Sequence, residues 1–448
     1  MHRILFAFIS LTSSISIFAR TDSTVFEPAE NMHQQRIQEL ARNQKIIYLD
    51  GRPESIDERT MLEDSLGLEM LKFYYDQFRH FDDPAAPYFQ FMSREEHLTL
   101  GIGGAVRMRG YFDFDGAVPA PAFSPYLIPI PSDPNSRRQF GTTPAGTCLF
   151  MRLIGTSKVF GCYQLYIEAN FNGYNARDFH LKKAYAQFRD LTVGLAPSTF
   201  SDPSAQAPMV DANGPANKIA DCNVLVRYMP SFGKRWSVAV SAESASSPPN
   251  YRTDSTCSKI RTWSPDFAAF LQYSWARDQH VRLAGIYRIM TYRDELTQTN
   301  HNKSGWGLHL SSVVRPLSPL TIYLTGCYGH GYTSVMNDLL IGSYDLLSDP
   351  LAAGRMYSPA SYGWNVGVQW NFKPNLFASA TMGQVRYLPG RKTEPSEYRR
   401  GQIIAMNIFW NPTPRSQFAL EFDWGRRINQ DRAKGIAHRI GAMCQFSF

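Results

Sequence analysis

Beyond residue 19 the 448-residue chain has no run of eighteen apolar residues. That absence excludes anchoring by membrane helices later in the chain. It does not exclude spans made of strands, whose polar inward residues hide them from hydropathy. Cysteine is scarce: six residues, with no C-x-x-C pair, which excludes a small disulfide scaffold and the usual zinc spacing. Cys148 and Cys162 flank one short turn, but a bridge between them is disfavoured; several cysteines fall at strand positions, where a thiol serves as a small apolar residue. The ten histidines include no H-E-x-x-H or H-x-x-x-H, and no G-x-S-x-G occurs, so metal-assisted or serine hydrolysis has no local signature. There is no internal repeat, which argues against a soluble β-propeller. No cofactor, metal or nucleic-acid partner is expected.

What is present is alternation. In "HLTLGIGGAVRMRGYFDFDG" the even positions Leu98, Leu100, Ile102, Val106, Met108, Phe112 and Phe114 are apolar, while Thr99, Arg107, Arg109 and Asp113 occupy odd ones. A helix would scatter these apolar residues around its axis. A strand of this length, at about 3.3 Å per residue, exceeds what a small sandwich needs. "GIGG" lacks the third glycine and following helix of a nucleotide loop; glycines here suit a strand that curves in a closed barrel.

The amino-terminal "MHRILFAFISLTSSISIFA" has a basic start and an apolar stretch and reads as a signal peptide over 1–19. Residues 20–96 read as a partly helical periplasmic extension. Ile37, Leu40 and Ile47 recur in one segment and Ile56, Leu62, Leu66 and Phe73 in another, with Ser55 and Glu58 at capping-box spacing. This extension carries 9 Lys+Arg against 16 Asp+Glu, whereas residues 97–448 carry 36 against 23. The basic surplus therefore belongs wholly to the alternating region.

That region predicts an all-β fold, a transmembrane antiparallel β-barrel over 97–448. Sixteen strands are expected near 98–114, 147–154, 159–171, 180–188, 191–199, 219–228, 236–243, 266–274, 280–290, 305–314, 321–328, 361–371, 376–386, 402–410, 416–426 and 437–448. Their connections alternate strictly. Long ones such as 115–146, 200–218, 291–304 and 329–360 are separated by short ones such as "GTSK", "RD", "FKPN" and "NPTPR". Long outer loops, tight periplasmic turns and an even strand count are the pattern of an outer-membrane barrel. Aromatic residues make up 13% of the chain, enough for girdles at both lipid interfaces. With no water in lipid every backbone group must be paired, so the strands must close on themselves. Phe448 ends an alternating strand and is the expected membrane-insertion signal.

"KKAYAQFRDLTVGLAPSTFSDP" (182–203), "SPDFAAFLQYSW" (264–275), "YGHGYTSVMNDL" (328–339) and "FDWGRRINQDRAKGIAHRIGAMCQFSF" (422–448) resemble, in order, blocks of the DcaP-like trimeric porins. The chain departs from that family at Leu195 and Pro197, where the family's hairpin tends to carry Gln and Trp. The resemblance implies a sixteen-stranded homotrimeric porin of a Gram-negative outer membrane. It also implies a basic lumen that passes small anionic solutes, carboxylates included, by diffusion.

With the apolar parity assigned to lipid, the inward face holds Arg107, Arg109, Arg152, Lys183, Arg227, Arg282, Arg288, Arg427 and Arg439. Asp113, Glu168, Glu243, Glu421 and Asp423 share it. Arginine stays charged and matches carboxylate or phosphate with a fork of donors, and a cationic passage concentrates anions. Bracing a wall carboxylate is the other role open to each of these arginines. Basic residues of the outer loops have a second partner available in lipopolysaccharide phosphates. The third long loop, expected to fold inward as a constriction, offers Asp202 and Asp211, which opposes a purely cationic passage. A barrel hydrolase assembled from separate strands, an adhesin and a periplasmic β-protein are the competing readings; the expected function is not enzymatic.

Overall fold

In the computed structural model the described residues are 45–50, 87, 89–93 and 98–448, the last without 115, 135–136, 158, 160, 173–177, 220–221, 234, 245–247 and 277–278. The expected signal peptide, and most of the extension read as helical, lie outside them. Among the described residues no helix is long and apolar enough to cross a membrane.

Sixteen strands form the barrel: β1 Leu98–Asp113, β2 Cys148–Ser157, β3 Gly161–Asn172, β4 Asp178–Phe188, β5 Leu191–Pro197, β6 Cys222–Tyr228, β7 Trp236–Ser244 and β8 Asp266–Ala276, then β9 Gln279–Asp294, β10 Thr299–Leu317, β11 Leu320–His330, β12 Ala360–Lys373, β13 Leu376–Leu388, β14 Tyr398–Thr413, β15 Ser416–Asn429 and β16 Lys434–Ser447. Each pairs antiparallel with its sequence neighbour, and β16 pairs with β1 from Arg439↔Asp113 to Ser447↔Ala105, which closes the sheet. Closure removes the open edge that hydrocarbon would not tolerate. All sixteen strands fall where alternation predicts them.

Exposure follows the parity. Along β15 Leu420 and Phe422 face out, while Glu421 and Asp423 are buried. The short-turn end carries an exterior aromatic girdle that includes Trp236, Trp370, Trp410, Phe418 and Phe446. Two rims differ from expectation. The hairpin of β9 and β10 runs on in register to Asp294↔Thr299, so most of the expected 291–304 loop is strand. There residues 299–304 are exposed on both faces and Tyr292 packs against loop residues Cys257, Leu346 and Met356, so lipid no longer imposes alternation. Ile47, read as helical, lies in strand Lys45–Tyr48, parallel to Phe89–Ser93, which in turn pairs with the lower half of β1.

The "GIGG" glycines sit at the closing seam. Phe448 exchanges two 3.0 Å backbone hydrogen bonds with Gly104. A Cβ on Gly103 would lie 2.7 Å from the Phe448 carbonyl oxygen, and one on Gly104 2.5 Å from that of Cys148. These positions demand glycine because backbone approaches on both sides. The register also sets Cys148 opposite Asn170 and Cys162 opposite Thr156, so those two cysteines are not partners; the Cys148 thiol is free.

The lumen is not simply polar. Parts of three long connections, L1 (114–147), L3 (198–221) and L6 (331–359), fold into it, while Gln139–Thr143 of L1 pairs with the upper half of β1. Phe123, Ile128, Phe200, Met209, Tyr332 and Met336 from these loops pack in one buried cluster with wall residues such as Ala268, Phe270, Ala284 and Ile286. The inward parity of β8 and β9 is apolar there because loops, not water, cover it. Burying these side chains contributes about 2 kcal/mol each.

Candidate functional site

The site is the loop-lined lumen, and its charged groups are held in three ways. In the first, wall arginines anchor loops through carboxylates. Arg439 of β16 makes a bidentate pair with Asp113 of β1 at 2.6 and 2.9 Å, across the closing seam. Its guanidinium also donates to the Ala120 and Pro121 carbonyls of L1 and stands 3.5 Å from Asp211 of L3. Arg282 of β9 lies 3.6 Å from Asp202, donates to the Ser201 carbonyl and stacks 4.4 Å over Phe270. Arg288 pairs with Asp266 at 2.5 Å and with Asp345 of L6 at 3.6 Å, and donates to Ser334. All three arginines are fully buried. Breaking such a pair on one side costs about 3–5 kcal/mol, because the remaining charge is stranded.

In the second, wall carboxylates collect donors. Glu168 accepts from Tyr166, Lys182 and Lys183 at 2.9, 2.7 and 3.2 Å. Glu243 accepts from Ser198, the Thr199 amide, Asn223 and Ser241. Asp202 accepts from His280 at 2.8 Å, Ser311 at 2.5 Å and Ser204 at 2.6 Å. Burial would raise its pKa, but Arg282 and His280 beside it hold the carboxyl well below its ordinary range. Asp211 accepts from the amides of Phe123 and Asn213. Both L3 acids thus turn toward the wall or toward L1, and neither projects across an open passage.

In the third, inward arginines include neutral groups among their contacts. Arg107 donates from Nε to Gln445 at 2.6 Å, Arg109 to the Ala145 carbonyl at 3.1 Å and Arg227 to the Pro197 carbonyl at 2.9 Å. Arg152 lies 5.0 Å over the Tyr166 ring. Arg427 donates to Asn429 and to the Tyr126 carbonyl of L1, with the Tyr126 and Tyr398 rings 5.2 and 5.9 Å away. Alternation places these residues on the inward face but is silent on partners, which come from loops distant in sequence.

Two further constellations bear on chemistry. Asp211, Glu421 and Asp423 offer carboxylate oxygens within 4.8 Å of one another, close enough to hold a cation. Glu421 already accepts the Val210 and Asp211 amides at 2.8 and 2.6 Å, and Arg439 stands beside the group. Backbone donors thus serve Glu421 and a guanidinium serves Asp211, which makes these two a clasp for L3, while both Asp423 oxygens are buried without a donor. The second is Ser311, Asp202 and His280. Asp202 lies between the other two, so the serine hydroxyl meets a carboxylate and not the imidazole. A hydrolytic triad needs the histidine next to the nucleophile. This set is a buried latch of L3.

No family model matches the sequence, and no characterised protein matches it by sequence. The fold has counterparts among solved structures. The outer-membrane channel DcaP of Acinetobacter baumannii superposes with a TM-score of 0.68 at 18% identity, over 80% of this chain and 99% of that one. An anion-selective porin from Comamonas acidovorans gives a TM-score of 0.50 at 10% identity, over 78% of this chain and 100% of that one. The fold is that of an outer-membrane porin of the DcaP type.

Proposed function

We propose, from this porin fold, that the protein is an outer-membrane diffusion channel for small anionic solutes, carboxylates included, working as a homotrimer and without enzymatic activity. The observation that carries the anion preference is the pair Arg152 and Arg427. Both are inward-facing, and their contacts are an aromatic ring for Arg152 and neutral oxygens and tyrosine rings for Arg427. Their charge stays available to a passing anion. The surplus of 36 Lys+Arg over 23 Asp+Glu in residues 97–448 has the same sign. Fixed cations in a confined passage raise the local anion concentration and the barrier to cations. The trimer rests on the resemblance to DcaP-like porins. A solute that presents a carboxylate can exchange its water for the arginine fork, bind briefly and leave, which is what conduction requires.

Planar-bilayer recording under a salt gradient tests this reading. The expected reversal potential has the sign of anion selectivity, and liposome swelling is faster with small carboxylates than with neutral sugars of equal size. Cation selectivity, or no conductance from a correctly assembled barrel, refutes it.

A further inference from the structure

The exterior wall carries a charged feature that the channel reading does not use. On β13, β14 and β15 the even-numbered residues face outward, and at the long-loop end these include Arg386, Arg400 and Arg426. The register sets Arg386 directly opposite Arg400 and Arg426 opposite Gln402, so three guanidinium groups share one patch across three strands. Arg386, Arg399 and Arg426 all act on Arg400 with like charge. Among the described residues no carboxylate pairs with any of the three. The Nε atoms of all three are buried without a hydrogen-bond partner. Their remaining contacts are weak and neutral: 3.4 Å from Arg386 to the Tyr362 hydroxyl and 3.5 Å from Arg400 to Gln384.

Clustering three like charges on a sheet face is unfavourable unless an anion joins them. The location says which kind. Two to three outward positions toward the short-turn end, the same rows reach exposed Met382, Met406 and Phe422, the apolar belt. Trp364 and Trp424 face out beside the patch, opposite Gln384 and Ile404, at the level where indole rings mark a lipid interface. The arginines therefore stand where the headgroups of the outer leaflet would be, with acyl chains below them.

We infer that Arg386, Arg400 and Arg426 form a binding site for the phosphate of a phosphorylated lipid of the outer leaflet. The guanidinium forks receive the phosphate oxygens, Gln384 and Gln402 flank them with amide donors, and the acyl chains lie along Met382 and Phe422. Arginine suits this because its planar fork meets a tetrahedral oxyanion with two parallel donors. The inference rests on the barrel being embedded in the outer membrane, but not on the chain conducting anions.

The test uses the full chain purified in neutral detergent, with diphosphoryl lipid A, its dephosphorylated counterpart and inorganic phosphate as separate probes. Binding is read by native mass spectrometry and by the heat-induced unfolding midpoint. Diphosphoryl lipid A is expected to bind and raise the midpoint, and the dephosphorylated form is not. The triple variant Arg386→Gln, Arg400→Gln, Arg426→Gln should lose roughly 100-fold in affinity, at about fivefold per arginine near a charged lipid surface. Its single-channel conductance should be unchanged, which separates this site from the lumen. Equal binding by variant and wild type overturns the proposal. So does inorganic phosphate competing at concentrations matching the lipid, which would make the patch a free-anion site. Should the triple variant fail to assemble, the wild-type comparison decides: no preference for the phosphorylated lipid also overturns it.

Discussion

Asp338, in L6, is where three loops meet. Its carboxylate accepts from Ser124 of L1 at 2.5 Å and from Asn213 of L3 at 3.4 Å, and the residue is fully enclosed. Burial pushes its pKa up to about 6; the two hydrogen bonds oppose the rise, and nearby Asp211 adds to it. A carboxyl raised in the folded state favours folding only while it is protonated. Its contribution is full below the ordinary value of 3.8 and is lost as pH rises through about 6. The shift of about two units corresponds to about 3 kcal/mol of destabilisation at pH 7.5, of which about 1 kcal/mol is recovered between pH 7 and pH 5. Asp338→Asn keeps the shape and an acceptor for Ser124 and removes the ionisation. Asparagine also tolerates the positive φ of 64° found here. The variant is expected to be more stable than wild type at pH 7.5 by up to about 3 kcal/mol, and the two should converge near pH 4. Unfolding midpoints from tryptophan fluorescence in detergent, taken from pH 4 to 8 on both chains, measure this. Subtracting the curves removes the histidines, which titrate in the same window. Parallel curves, or a variant less stable at pH 7.5, would refute the claim that this carboxyl is held ionised at a cost.

Asp423→Asn, which removes the carboxylate beside the clasp, should leave stability unchanged or raised, and EDTA should not move the wild-type midpoint; a chelator-sensitive wild type would instead show a resident cation. Arg107→Gln with Arg109→Gln should preserve the heat-modifiable barrel but lower the anion-over-cation permeability ratio, most at low salt where screening is weak; an unchanged reversal potential would leave this strand as wall only. Deleting Phe448 removes both hydrogen bonds to Gly104, about 1 kcal/mol each, and should lower the fraction of folded barrel in the outer membrane while export continues; normal accumulation would show that the seam closes without it.

Alternation shows the barrel in the sequence because lipid tests one face of every strand. In β16, Ile440 and Phe446 must face out, so Arg439 and Gln445 must face in, and the parity can be read residue by residue. The signal fails where lipid stops acting. At 291–304 the β10 arm is exposed on both faces and Tyr292 of the β9 arm packs against loop residues Cys257, Leu346 and Met356, so lipid imposes no parity and the strands continue unannounced. Inside the barrel it fails for the opposite reason. In "DFAAFLQ" (266–272) Ala268 and Phe270 face inward and are as apolar as outward-facing Phe267 and Leu271, because L3 and L6 cover them. An apolar stretch that ignores parity inside a barrel strand is thus a sequence mark of a loop packed against the wall. The partners of the inward arginines carry no comparable mark: Arg439 and Asp113 are 326 residues apart, and only closure of the barrel brings them together.

The arrangement of charges separates two tasks that a count of lumen arginines merges. Arg282, Arg288 and Arg439 are fully buried and matched by Asp202, by Asp266 and Asp345, and by Asp113 and Asp211. Taking both members of such a pair out of water offsets most of the attraction between them, so they add little net stability. What they fix is position. L3 and L6 lie on an apolar wall that would accept them in many registers, and each buried arginine makes only one register affordable in charge. Such pairs are electrically closed and contribute little field beyond a few ångströms. On the proposed anion-channel reading, selectivity then comes from inward arginines outside these pairs, led by Arg152 and Arg427, which contact rings and neutral oxygens. If so, neutralising Arg282 should loosen L3 and disturb conductance without reversing ion preference, whereas neutralising Arg427 should shift preference with L3 still in place. A chain in which both substitutions moved the reversal potential alike would show that the two sets of arginines act as one field, and that the loop latches are part of the filter.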